Sequence, residues 1–377
     1  MKHDSLFQSF TLPASGIQLK NRVVMAPMTN SASHENGDVS DDELAYYRER
    51  SGGVGAVITA VANVTEDGIG FDGEVGVYDD RHIEGLTRLA DTIHAEGAKA
   101  ILQVFHAGRL APLHLLKGGS PISASAIAHT DMEGKDLPVP REMTTEDIQR
   151  VIQAFGEATR RAIKAGFDGI EIHGANRYLI QQFFSPYTNR REDQWGGSLE
   201  KRIAFPLAVV AEVKRAVKEH AQRPFIIGYR ISPEEHYEPG ITIEDSLYLV
   251  DRIADESIDY IHLSTMNFFE GSIRDQNDTR LPTVRVHEKV GDRVAVIGVG
   301  SIHTPEEAAR ALDTGVPLIA LGRQLLVEPH WVEKVQGGRE GEIRQAISRQ
   351  AGRETLVMPA PLWNMVTNAP GWVPVED

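Results

Sequence analysis

Short, nearly continuous apolar runs recur along the chain with amphipathic segments between them. The runs are Arg22 to Thr29, Val54 to Ala62, Ala98 to Phe105 and Phe167 to His173. Phe225 to Ile231, Tyr260 to Ser264, Val294 to Val299 and Leu318 to Leu321 follow. Each is rich in Val, Ile or Ala and predicts a strand covered on both faces. Helix signals fall between them. Ser40-Asp-Asp-Glu43 reads as an N-cap with a capping-box Glu, and Thr144 to Asp147 opens a helix that runs to Ala165 and stops at Gly166. Thr304-Pro305 starts another that Gly315 closes, and Ser198 to His220 and Thr242 to Ile258 predict two more.

Eight alternating units with no linker between them predict a closed (β/α)8 TIM barrel, α/β in class, rather than an open doubly wound sheet. The rival needs a GxGxxG after its first strand, whereas Gly52, Gly53 and Gly55 precede one. Two segments exceed ordinary connectors: Leu110 to Arg141, carrying Pro112, Pro121, Pro138 and Pro140, and Ser185 to Ser198. Both follow strands, so they predict long loops at the C-terminal face of the barrel. The chain, 1–377, is expected to form a single domain with a C-terminal tail from about 336. That tail, with Trp363, Pro370 and Trp372, either packs on the barrel or reaches a neighbouring subunit.

Composition narrows the chemistry. The net charge of -15 disfavours nucleic acid and anionic membrane as partners, so any phosphate must be held by local donors. Cys is absent, which removes disulfides, thiolate nucleophiles and iron–sulfur clusters. The 14 His include no HExxH, and no metal is expected. No run approaches the ~20 apolar residues of a membrane span. Met1 to Phe7 lacks the apolar core of an export signal, so a cytoplasmic location is expected.

The candidate catalytic segment is Gly166-Phe-Asp-Gly-Ile-Glu-Ile-His173-Gly-Ala-Asn176-Arg-Tyr178. A strand here runs into groups that can donate to a developing oxyanion (His173, Asn176) and deliver a proton (Tyr178). Each alone is as well explained as a satisfied strand-end cap; three within six positions favour an active site. Gly300-Ser301 ends the seventh strand and Gly322-Arg323 the eighth, where barrels often bind phosphate. Gln103 and His106 close strand three, Arg230 strand five and Thr29 strand one, and the amide and guanidinium suit a flat heteroaromatic. Otherwise Arg230 would pair with Glu171 or Glu234, and Gln103 would be a core amide.

Several motifs agree in order and spacing with one family. Ala26-Pro-Met-Thr29, Gln103-Val-Phe-His-Ala-Gly-Arg109, Glu171 to Phe183, Ser185-Pro-Tyr-Thr-Asn-Arg190, Gly196 to Arg202 and Gly322-Arg323 resemble the old yellow enzyme family. The resemblance runs from about Leu6 to Leu326. It implies FMN at the barrel mouth, with the phosphate on Gly300, Gly322 and Arg323 and the pyrimidine edge on Gln103 and Arg230. Ala26, Pro27, Met28, Thr29 and Ala60 would lie along the ring. It further implies a ping-pong cycle in which NADH or NADPH gives a hydride to the flavin and leaves. An α,β-unsaturated carbonyl compound then binds on His173 and Asn176 and takes hydride at the β-carbon and a proton from Tyr178 at the α-carbon. The alternatives are an FMN-dependent dehydrogenase acting oxidatively on an amine or ketone with another acceptor, and a non-catalytic flavin carrier. A homo-oligomer is compatible with either. The chain departs from the pattern at Thr29, where one subgroup has Cys, at Trp195, where Tyr is usual, and at Arg177, where Gly is frequent; its substrate-binding pair is His/Asn rather than His/His.

Overall fold

The computed structural model describes residues 3–130, 134–369 and 371–376; Met1, Lys2, Asp131, Met132, Glu133, Pro370 and Asp377 lie outside them. The barrel strands are β1 (Val23–Met25), β2 (Ala56–Asn63), β3 (Lys99–Phe105) and β4 (Gly169–Gly174). They continue with β5 (Ile226–Ile231), β6 (Tyr260–Leu263), β7 (Ala295–Val299) and β8 (Leu318–Leu321). Neighbours in this series pair in parallel, and β8 pairs with β1 in the register Ile319↔Val23, which closes the sheet. All eight expected strands are present. β1 is shorter than its apolar run, because Ala26 to Thr29 leave the sheet to form a loop on the C-terminal face.

The continuous apolar runs conceal an alternation. One parity of positions, including Val57, Leu102, Ile170, Ile261 and Ile319, packs outward in the cluster shared with the helices. The other parity, including Val24, Ile58, Ile101, Ile226, Ile297 and Leu318, packs in the barrel interior with Leu12 and Leu19 of an N-terminal hairpin. Toward the C-terminal ends the interior positions turn polar. Gln103, Glu171, Gly228 and Tyr260 fall in one register layer, and His173, Arg230 and His262 in the next. Gly228 is needed in its layer: a Cβ there would stand 2.1 Å from Cζ of Tyr260.

Between the strands run α1 (Asp41–Ser51), α2 (Ile83–Ala95), α3 (Thr145–Lys164), α4 (Ala204–His220), α5 (Ile243–Ala254), α6 (Pro282–Val290) and α7 (Pro305–Asp313). Capping boxes open α3, α5 and α7 at Thr144, Thr242 and Thr304. Two expectations need correction. Ser40 caps α1, but Glu43 does not reach back to it, because Asn30 and Ser33 take its carboxylate at 3.0 and 2.5 Å and tie the β1 loop to the helix. The segment from Ser198 forms Leu199–Arg202 and then α4, with Ile203 between them.

The tail folds back on its own barrel. Arg50 of α1, almost fully buried, donates to the carbonyls of Leu356 and Leu325 at 2.7 and 3.1 Å. Leu362, Val366 and Val373 join the barrel–helix core. Among the described residues no helix is long and apolar enough to cross a membrane.

Gly228→Ala should lower unfolding free energy by about 1–3 kcal/mol through overpacking against Tyr260. Gly341→Ala, with open space at its Cβ, should change it by less than about 0.5 kcal/mol. Urea unfolding midpoints that moved equally for both would contradict the layer assignment.

Candidate active site

A cleft of about 580 Å³ opens at the C-terminal ends of the strands, within the range of cofactor sites. Ala26, Pro27, Met28 and Thr29 line one wall, and Arg230, Ser264, Thr265 and Met266 the opposite one. Gly300, Ser301, Gly322 and Arg323 lie at one end. A smaller inner cavity of about 50 Å³ is lined by His173, Tyr178, Gln103 and Val61, and shares Pro27 to Thr29, Asn176 and Arg230 with the cleft. The sequence-predicted residues therefore converge, with two exceptions. His106 lines neither cavity: its Nδ1 accepts from the Gly108 N–H at 2.9 Å and its Nε2 lies 3.7 Å from Asp67. Ala60 is buried with its N–H held by the Tyr47 hydroxyl at 2.7 Å, and it lines neither cavity, while its neighbour Val61 does.

At the glycine end, Gly300 has φ +130° and a Cβ there would stand 2.8 Å from the backbone N of Asn267 and Phe268. Arg323 donates to Ser301 Oγ at 2.7 Å and to the Met266 carbonyl at 3.2 Å. Its contacts are neutral, so its charge is available to an anion.

The inner wall is organised by Glu171, which has no exposed surface. Gln103 Nε2 donates to one oxygen at 2.6 Å and His262 Nδ1 lies 2.9 Å from the other. Burial pushes the Glu171 carboxyl up, but His262, Arg230 and Gln103 outweigh it and hold the group below its ordinary value. The expected alternative, Arg230 paired with an acid, is not what forms. Arg230 makes one long contact, 3.3 Å to Ser264 Oγ, and its Nε is buried without a hydrogen-bond partner. Glu234 is occupied by Ser272 Oγ and the N–H of Ile273. Gln103 thus keeps its carbonyl oxygen, and Arg230 a donor, for a ring carrying both N–H and carbonyl groups.

The turn after β4 sets the remaining groups. Asn176 and Arg177 both adopt left-handed backbone, φ +56° and +66°, a costly pair outside glycine. Asn176 N–H donates to Ser232 Oγ at 2.9 Å, Arg177 N–H to Gln181 Oε1 at 2.9 Å, and Gln182 Nε2 to the Arg177 carbonyl at 2.7 Å. Ser264 Oγ donates to Asn176 Oδ1 at 2.7 Å, which turns the amide NH2 outward as a donor. Ala175 N–H donates to His173 Nδ1 at 3.2 Å, so the ring proton sits on Nε2. Burial, then Arg230 and His262, push His173 well below the usual histidine range, so it stays a neutral donor. The Tyr178 ring meets His173 edge-on at 5.0 Å and Phe105 at 4.9 Å. Burial, then Glu74, raise its hydroxyl above the ordinary tyrosine value.

Sequence reasoning missed Ser264 and two tail residues that line the cleft, Met365 and Trp372. Ser264 was legible as the end of a strand; nothing local in the tail marks Trp372 as cleft-facing.

An anion cradle joined to donors and acceptors for a flat heteroaromatic, at the mouth of a closed barrel, defines the class: a barrel oxidoreductase built to hold a flavin mononucleotide. The chain belongs to the NADH:flavin oxidoreductase / NADH oxidase family, whose sequence model matches residues 5–342. It is similar to a probable NADH-dependent flavin oxidoreductase of Bacillus subtilis (strain 168), 46% identical over 376 residues, 100% of this chain and 99% of the other. It is 44% identical over 356 residues to the NADH:acrylate oxidoreductase of Vibrio harveyi, covering 93% of this chain but 35% of that longer protein. Among solved structures, the old yellow enzyme homologue from Zymomonas mobilis matches with a TM-score of 0.77 at 25% identity, over 89% of this chain and 93% of the other. The protein is accordingly an enzyme of old yellow enzyme type that uses FMN with NAD(P)H.

Arg323→Met should weaken FMN binding tenfold to a hundredfold, since a charge-assisted hydrogen bond contributes about 1.5–3 kcal/mol. Apoprotein titrated with FMN would give the affinity by quenching of tryptophan emission, and Trp372→Phe should remove part of that quench. An unchanged affinity for Arg323→Met would remove the cradle from Gly300 and Arg323.

Proposed function

We propose that this protein reduces the activated C=C bond of α,β-unsaturated carbonyl compounds at the expense of NAD(P)H. The observation that carries the reading is the pair of fixed donors, His173 Nε2 and Asn176 Nδ2, beside a hydroxyl that no described protein group engages. FMN, when bound, supplies hydride chemistry along the Gln103–Arg230 wall, and those two residues orient its polar edge. His173 and Asn176 receive the carbonyl oxygen of the alkene and stabilise it as negative charge develops. Each preorganised donor contributes roughly 3 kcal/mol in sites of this kind. Tyr178 holds the proton that goes to the α-carbon. Its raised pKa keeps it protonated well above neutral pH. A relative named NADH:acrylate oxidoreductase, matched over 35% of its length, is in keeping with an acceptor that carries an activated C=C bond.

Tyr178→Phe should slow the reoxidation of reduced enzyme by 2-cyclohexenone at least about a hundredfold. Flavin reduction by NADH should stay within a few-fold. For the native enzyme the reoxidation rate should hold from pH 6 to about pH 9, because the raised pKa places loss of the Tyr178 proton above the usual value of about 10. Stopped-flow measurement of the two half-reactions checks both, and equal slowing of both by Tyr178→Phe would remove the proton-donor role.

A further inference from the structure

Arg177 stands between Asn176 and Tyr178 and lines the outer cleft but not the inner cavity that His173 and Tyr178 line. Its side chain makes one long hydrogen bond, 3.4 Å to the Tyr237 hydroxyl, and no ion pair among the described residues. Tyr237 stacks on Tyr187 at 4.1 Å, and the Arg109 guanidinium lies 5.7 Å from the Tyr187 ring centre. Arg109 is 4% exposed, and its Nε and Nη1 are buried without hydrogen-bond partners. A buried acid that acts on Arg109, Glu235, is already taken by Gln181 Nε2, Ser185 Oγ and the N–H of Ile241. Its charge still acts on Arg109, yet burial lowers that guanidinium's pKa.

Two guanidinium groups, one of them almost fully buried, therefore share an aromatic wall, and among the described residues no acid is paired to either. Such an arrangement is costly unless an anion completes it. NADH and the alkene both enter this cleft, but the position of Arg177, outward of the reacting pocket and next to Asn176, fits a substituent on the alkene. We infer that the substrate carries a carboxylate separate from its activating carbonyl, received by Arg177 with Arg109 behind it. This deepens the ene-reduction reading and rests on it. A planar, bidentate guanidinium suits a carboxylate, and binding there orients the alkene while its activating carbonyl occupies His173 and Asn176.

The test uses holoenzyme reduced with dithionite, so that NADH is absent, and mixed anaerobically with monomethyl fumarate or dimethyl fumarate. The two differ at the outer group, carboxylate against ester. Reoxidation per unit concentration should favour the half-ester at least tenfold, although the diester is the better electrophile. Arg177→Met should reduce that ratio at least tenfold, and Arg177→Lys should restore part of it. An equal or reversed preference in the native enzyme would overturn the inference, as would a ratio unmoved by Arg177→Met. Slowing confined to flavin reduction by NADH would assign Arg177 to the nucleotide and overturn it too. Failure of both esters and of 2-cyclohexenone to reoxidise the enzyme would instead sink ene reduction. Succinate titrated against the oxidised flavin spectrum then decides the subsite: a shift abolished in Arg177→Met sustains it, and no shift in the native protein overturns it.

Discussion

A carboxylate with no exposed surface has to be compensated where it stands, and Glu171 imposes that requirement on the middle of the barrel. Gln103 and His262 are each drawn to one of its oxygens, from the neighbouring strand on one side and from two strands away on the other. Because the two hydrogen bonds consume the Gln103 amide NH2 and His262 Nδ1, they fix what those residues offer elsewhere. Gln103 presents a carbonyl oxygen to the cleft, and the Glu171 charge supports Arg230 without occupying its guanidinium. The parallel register makes this possible, since it sets Gln103 beside Glu171 and His173 beside Arg230 in successive interior layers. Nonpolar packing below and polar chemistry above are thus one alternation followed up the strands.

The second constraint is the turn at Asn176 and Arg177. Two successive left-handed residues cost roughly 1–2 kcal/mol each, and hydrogen bonds to Ser232 and Gln181 and from Gln182 hold them in place. The return on that strain is orientation: Asn176 stays at the boundary of the two cavities, Arg177 faces the outer one and Tyr178 the inner one. A helical continuation of β4 would set these three side chains around a cylinder instead of dividing them between two compartments.

The eight strands were legible because a barrel strand is buried on both faces and so leaves an apolar run. Thr144, Thr242 and Thr304 were legible because capping is local. The short helix Leu199–Arg202 was not, since its break at Ile203 leaves the helical pattern almost unchanged. His173, Asn176 and Tyr178 could be read together because they lie within one turn. Ser264 and Trp372 reach the same cleft from 88 and 196 positions beyond Asn176. Only closure of the barrel and the fold-back of the tail unite them, and no periodicity encodes that. The inward and outward parity was hidden as well, because aliphatic side chains serve on both faces.

Electrostatics sets the last limit on what the cleft accepts. The chain carries a net charge of -15, so its overall field opposes every anionic ligand, nicotinamide nucleotides included. At physiological ionic strength that field is screened over about 8 Å, whereas partly buried charges are screened much less. Local cations therefore decide. Arg323, Arg230 and Arg177 are spaced along one cleft, and none of them is neutralised by a described carboxylate within ion-pair distance. A phosphate, an electron-rich ring edge and an outer anionic substituent would each find a guanidinium there. The acidic exterior disfavours nonspecific anion binding elsewhere, which confines anion recognition to the place where the chemistry is done.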